Sequence, residues 1–119
     1  MGKKVLLVDD SPLIHIMLRK TLEKQGCTIC GDAKNGKEGV EMFVALNPDI
    51  VFMDITMPVM DGIEAVKNIR EINKDVRIIM LSAMGDDEIV KQVKDLGVHI
   101  FLKKPFDDYK IISAISMIY

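Results

Sequence analysis

Five short apolar runs alternate along the chain with longer segments in which apolar residues recur every three or four positions. The runs predict strands over Lys4 to Val8, Cys27 to Asp32, Ile50 to Asp54, Arg77 to Leu81 and Ile100 to Lys103. All but the second are nearly continuous in Val, Ile, Leu, Met or Phe, as expected of parallel strands covered on both faces. Between them lie helices with legible ends. Ser11 caps the first and Pro12 fits its opening turn; Ile14, Met17, Leu18 and Leu22 form its stripe, and Gly26 stops it. The second starts near Asn35-Gly36 and runs to Leu46, where Asn47-Pro48 ends it. The third follows Asp61-Gly62, with Val66, Ile69 and Ile72 facing inward. The fourth opens on Asp86, Asp87 and Glu88, acids that complement the helix dipole, and closes at Gly97. The fifth opens on Asp107 and Asp108 and carries Ile111, Ile112, Ile115 and Ile118.

A fivefold βα repeat with right-handed crossovers predicts one α/β domain over 1–119, a doubly wound parallel sheet in strand order 2-1-3-4-5 with helices on both faces. Ligands of such sheets bind outside the carboxyl ends of the strands, where the winding reverses between strands 1 and 3. Composition fits a single packed core: 119 residues, 49% hydrophobic, rich in aliphatics and with nine Met. Sixteen Lys and Arg against eighteen Asp and Glu leave a net charge of -2, which gives no basis for direct nucleic-acid binding. No apolar run is long enough to enter a bilayer, and the start lacks a signal-peptide core, so the expected compartment is the cytoplasm. Cys27 and Cys30 make a C-x-x-C on a β-like segment, where residues three apart point to opposite faces; they are expected to pack and not to pair.

The predicted switch point gathers acids. Strand 1 leads into Asp9-Asp10 and strand 3 ends in Asp54, three carboxylates that a hard cation would neutralise, Mg²⁺ being the favoured one. Strand 4 leads into Ser82 and strand 5 into Lys104, a hydroxyl and an ammonium on the same edge, suited to phosphoryl oxygens. Asp54 stands alone and suits a nucleophile, whereas Asp9 and Asp10 form a pair suited to holding the ion. Each of these residues taken singly reads as a helix cap or a solvated loop; the joint arrangement is what points to phosphoryl chemistry.

Val8-Asp9-Asp10-Ser11, the run Asp49 to Pro58, Met60-Asp61-Gly62, Leu81-Ser82-Ala83 and Lys103-Lys104-Pro105-Phe106 together resemble the response-regulator receiver domain family over the full chain. The resemblance implies a flavodoxin-like (βα)5 fold and a signalling switch in place of a conventional enzyme. It implies that Asp54 is the phosphoacceptor, that Mg²⁺ is held by Asp9, Asp10, Asp54 and the backbone carbonyl of Thr56, and that Ser82 and Lys104 contact the phosphoryl oxygens. A histidine kinase would be the phosphodonor, and autodephosphorylation would reset the switch. Ser82 and Phe101 would relay the event to a face built from the fourth helix, fifth strand and fifth helix, where a downstream target binds, in chemotaxis for instance; the protein would be a monomer or a phosphorylation-dependent dimer. A cis peptide before Pro105 is also implied. His15, where the family often has Arg, is expected on the solvated helix surface, and Thr56 and Met84 where side chains tune access of water.

Two other classes fit less well. Asp54-Ile55-Thr56 resembles the nucleophile loop of haloacid-dehalogenase-type phosphatases, but Thr56 stands where those enzymes want a second acid. A flavin carrier would want stacking aromatics and a phosphate loop, yet Trp is absent. The chain ends at Tyr119 as the fifth helix completes, which suits a stand-alone regulator or a receiver domain excised from a longer one with a DNA-binding or enzymatic output domain.

Overall fold

The computed structural model describes residues 2–118; Met1 and Tyr119, the two ends of the expected 1–119 domain, lie outside the described residues. The elements follow as β1 (Lys4–Val8), α1 (Pro12–Lys24), β2 (Thr28–Ala33), α2 (Gly36–Leu46), β3 (Ile50–Asp54), α3 (Gly62–Ile72), β4 (Arg77–Ser82), α4 (Asp87–Lys94), β5 (Ile100–Lys103) and α5 (Asp108–Ser116). The strands form one parallel sheet in the order β2-β1-β3-β4-β5.

Strand alternation builds a core on each face. Leu6, Val8, Val51, Met53, Ile78 and Met80 point to one side, where Phe43 of α2, Val66 and Ile69 of α3 and Val93 of α4 cover them. Their neighbours Val5, Leu7, Ile50, Phe52, Ile79 and Leu81 point to the other, under Leu18 and Leu22 of α1 and Ile111 of α5. The apolar runs are therefore continuous because both faces are dry. Two helices on one side and three on the other make the winding reverse between β1 and β3, as the repeat predicts.

Two strands differ from the expectation. β2 lies one residue later than predicted, and a register irregularity between Val5 and Leu6 sets Ile29 and Gly31 as consecutive partners and leaves Cys30 over. Strand β4 runs on through Ser82, which pairs with Lys103. The thiols do diverge: Cys27 packs in the α1/α5 core and Cys30 against the opposite one, both are free, and burial pushes both thiols up from their ordinary pKa.

Caps explain where most helices begin. The side chains of Ser11, Asn35, Asp61 and Asp107 accept hydrogen bonds from the backbone N–H groups of Ile14, Glu38, Glu64 and Lys110. Asp86 does not cap α4; its Oδ2 accepts from the Ala83 N–H at 2.7 Å, tying the helix start back into the loop after β4. With eight residues, α4 is the shortest helix, and only Val93 of it is fully buried.

Candidate phosphoacceptor site

The carboxyl ends of β1 and β3 bring Asp9, Asp10 and Asp54 together, one carboxylate oxygen of each lying within 4.8 Å of the others. Asp9 is 1% exposed and Asp54 6%, while Asp10 lies in the open. Asp9 is gripped on several sides. Its N–H donates to the Ala33 carbonyl at 3.1 Å, which extends the β1–β2 pairing by one residue, and its Oδ1 accepts from the Ser11 N–H at 2.8 Å. Its Oδ2 is buried and faces the Lys104 ammonium 3.0 Å away, in an ion pair. The same ammonium reaches Asp54 Oδ1 at 3.3 Å. Lys104 arrives here because its backbone N–H donates to the Ser82 carbonyl at 2.7 Å, and the Lys104-Pro105 peptide that follows is cis.

The charges are uneasy with one another. Burial, then repulsion from Asp9, push the Asp54 carboxyl from its ordinary 3.8 up to about 6, against the opposing pull of Lys104. Burial pulls the Lys104 ammonium down, but contact with Asp9 and the charges of Asp54 and Asp9 outweigh it and raise the group overall. One ammonium thus serves two buried carboxylates, and the buried Oδ2 of Asp9 faces no partner besides it among the described residues. An oxygen-seeking divalent cation is the species such a donor set fits.

Space around Asp54 is set by backbone. The first residue of α3, Gly62, donates its N–H to the Ile55 carbonyl at 2.7 Å, and a Cβ built on it would lie 1.9 Å from the carbonyl oxygen of Asp54. Gly36, opening α2, likewise has room only for hydrogen beside the Met60 carbonyl, 2.4 Å from where a Cβ would stand. Between these two pins the loop after β3 exposes Thr56 and Pro58 and holds Val59 at φ 69, 79% exposed, a left-handed conformation unusual for a β-branched residue.

Ser82 is buried at the end of β4, and Phe101 lies half-buried on β5, packed against the core on the α2–α4 side. Met84 is 89% exposed in the loop that follows Ser82.

A family model, the response regulator receiver domain, matches residues 5–116. The chain belongs to the response regulator receiver domain family. Among its relatives, the chemotaxis protein CheY of Thermotoga maritima is 42% identical over 118 residues, covering 99% of this chain and 98% of that one. The chemotaxis protein CheY of Bacillus subtilis is 40% identical over 116 residues, with 98% and 97% covered. Among solved structures, the CheY in a complex of CheX, CheY, BeF3 and Mg²⁺ from Borrelia burgdorferi superposes with a TM-score of 0.91 at 37% identity, over 98% of this chain and 88% of that one. The receiver is therefore a CheY-like phosphoacceptor of two-component signalling, and no helix among its described residues is long and apolar enough to cross a membrane.

One expectation for the receiver needs correction. His15 is not solvated surface. Its side chain is 14% exposed, with Nδ1 2.7 Å from Asp32 Oδ1 on β2 and Nε2 2.7 Å from the backbone carbonyl oxygen of Asp9. Arg19, one turn along α1, pairs with the other oxygen of Asp32. Burial between two acceptors holds the ring in place. A local signal was present in the spacing of His15 and Arg19 on one helix face; their partner at the end of another strand was not.

Proposed function

We propose that Asp54 is the acceptor of the phosphoryl group, and that Asp9, Asp10, Asp54 and the backbone carbonyl of Thr56 hold the Mg²⁺ it needs. The observation that carries this reading is a cluster of three acids, two of them buried, that a single ammonium serves. Bound there, Mg²⁺ would supply positive charge for phosphoryl oxygens and offset the burial and the repulsion from Asp9 that push the Asp54 carboxyl up to about 6.

In the transfer, an ionised Asp54 oxygen forms a bond to phosphorus as the bond from phosphorus to the donor breaks, its electron pair leaving with the donor. From a phosphohistidine of a histidine kinase the leaving group is an imidazole nitrogen. Lys104 stands beside the incoming oxygens and balances their charge; Ser82, on the neighbouring strand end, offers its hydroxyl to another. Hydrolysis of the acyl phosphate by water, with Thr56 and Met84 at the exposed rim, returns the carboxylate.

The added group brings about -1.5 to -2 charges to the site. A Ser82 drawn toward phosphate and a Phe101 packing inward give the route to the face of α4, β5 and α5, and α4 is the shortest helix and has no side-chain cap. That face is read as the docking surface for a target, in a pathway of the chemotaxis type that the similar CheY proteins are named for.

Intact-mass measurement after incubation with acetyl phosphate tests the assignment. One phosphoryl group is expected on the wild type with Mg²⁺, none without it and none on Asp54→Asn, with amide shifts along α4, β5 and α5 in the loaded protein. Equal labelling of the Asn variant would remove Asp54 from its role.

A further inference from the structure

We infer that His15 is a positioning residue for Mg²⁺ binding, holding the Asp9-Asp10 peptide in the orientation at which both side chains meet the ion. The inference rests on the metal site proposed above.

The polar groups of Asp9 are nearly all committed. Its N–H goes to Ala33, its Oδ1 to the Ser11 N–H and its Oδ2 faces Lys104; the backbone carbonyl that links it to Asp10 is held by a side chain, that of His15. A carbonyl oxygen only accepts, so Nε2 donates to it. The far side of the ring is fixed in turn, since Nδ1 meets a carboxylate oxygen of Asp32, whose other oxygen is pinned by Arg19. The chain of contacts runs from β2 through the ring to the peptide between two acids of the cluster. Asp9 is buried and held on several sides, but Asp10 is exposed, and no hydrogen bond or ion pair of its side chain is seen among the described residues. Its direction therefore depends on the peptide that carries it, and rotation of that peptide would swing Asp10 away from Asp9 and Asp54. Groups behind a metal's ligands act in this way, by orienting the ligand without touching the ion.

The histidine itself is not the only chemistry that fits. An Arg at this position offers several donors in a fork and can serve both the Asp9 carbonyl and the Asp32 carboxylate, whereas Ala serves neither and Gln has reach for one.

The test is phosphorylation of the full chain by acetyl phosphate as a function of Mg²⁺, with Mg²⁺ affinity measured separately by calorimetric titration and stability by thermal melts in EDTA. His15→Ala is expected to weaken Mg²⁺ binding about tenfold and to raise the half-saturating Mg²⁺ equally, while the labelling rate at saturating Mg²⁺ stays near that of the wild type. His15→Arg is expected to restore most of the affinity, and Asp32→Asn, which loosens the ring without removing it, to fall between. A plateau that drops with an unchanged Mg²⁺ midpoint would mean that the residue acts only through folding, and would overturn the inference, as would an Ala variant with wild-type affinity. Should the Ala variant melt too low to assay, His15→Leu, which keeps the bulk and donates to neither partner, carries the same comparison. A wild type whose labelling ignores Mg²⁺ would bring down the metal site itself; a wild type that needs Mg²⁺ beside an indifferent Ala variant sinks the inference alone.

Discussion

Arg70 and Asp54 sit at opposite ends of the same sheet, each withdrawn at least in part from water, and the protein treats them differently. At the amino end of β4 and β5, the Arg70 guanidinium donates to the carbonyls of Leu96 at 2.7 Å and Val76 at 2.8 Å, with Asn73 and Gly97 at 3.4 Å. Burial lowers its pKa, yet every donor direction it uses finds an oxygen, so α3 is stapled to the loops that precede two strands. At the carboxyl end, Asp54 shares one ammonium with Asp9, its proton affinity is raised, and the nearby loop carries a strained Val59. A charge that only holds the fold together is satisfied by backbone. The charge proposed to react is left in tension, to be relieved by what binds.

The largest change in stability should come from breaking the satisfied end. Arg70→Ala leaves several carbonyls without their donor and is expected to cost about 2 to 3 kcal/mol in urea unfolding, with Asp54 still labelled fully under folding conditions. Loss of labelling in a folded Arg70→Ala protein would erase the division between the two ends.

The reactive end should show the opposite sign. In EDTA the folded carboxyl of Asp54 keeps its proton up to about pH 6, while the unfolded one releases it near 3.8. Between those values the folded state holds more protons, so this group's contribution to stability falls as pH rises through the window and its penalty is complete above pH 6. The shift corresponds to roughly 3 kcal/mol, reduced to about 1 to 2 by solvent at the mouth of the site. Asp54→Asn is therefore expected to melt higher than the wild type above pH 6 and to converge with it below pH 4; a variant destabilised at pH 8 would show that Asp54 is well accommodated after all.

The smallest effect concerns Val59. Val59→Asn relieves a left-handed backbone at an exposed position and should raise stability by about 1 kcal/mol, read as a shift in the urea midpoint. No gain would mean that the loop stores no strain.

The fold and the acid cluster are largely legible in the sequence, and the Arg70 staple is not. The strands announce themselves because both faces of the sheet are covered, and Ser11, Asn35, Asp61 and Asp107 mark helix starts by a local hydrogen bond that sequence spacing captures. Strand ends in turn mark Asp9, Asp54, Ser82 and Lys104. What stayed hidden depends on partners far along the chain. His15 meets Asp32 across 17 positions, and Thr21 donates to Asp108 across 87, joining α1 to α5. Asp86 was legible as an acid at a helix start but not as one that turns back to Ala83. Nor does Pro58-Val59 disclose a left-handed backbone, since a β-branched residue argues against one.

Gly62 gives the receiver a weakness that its charged residues do not share. An acid or a lysine at the site has relatives of like charge, so its lineage can pass through partial function. Gly62 has none: every alternative brings at least a Cβ, and that atom has nowhere to stand beside the Asp54 carbonyl. In a large pool of variants it would be as intolerant as Asp54, and would be mistaken for chemistry when the constraint is room.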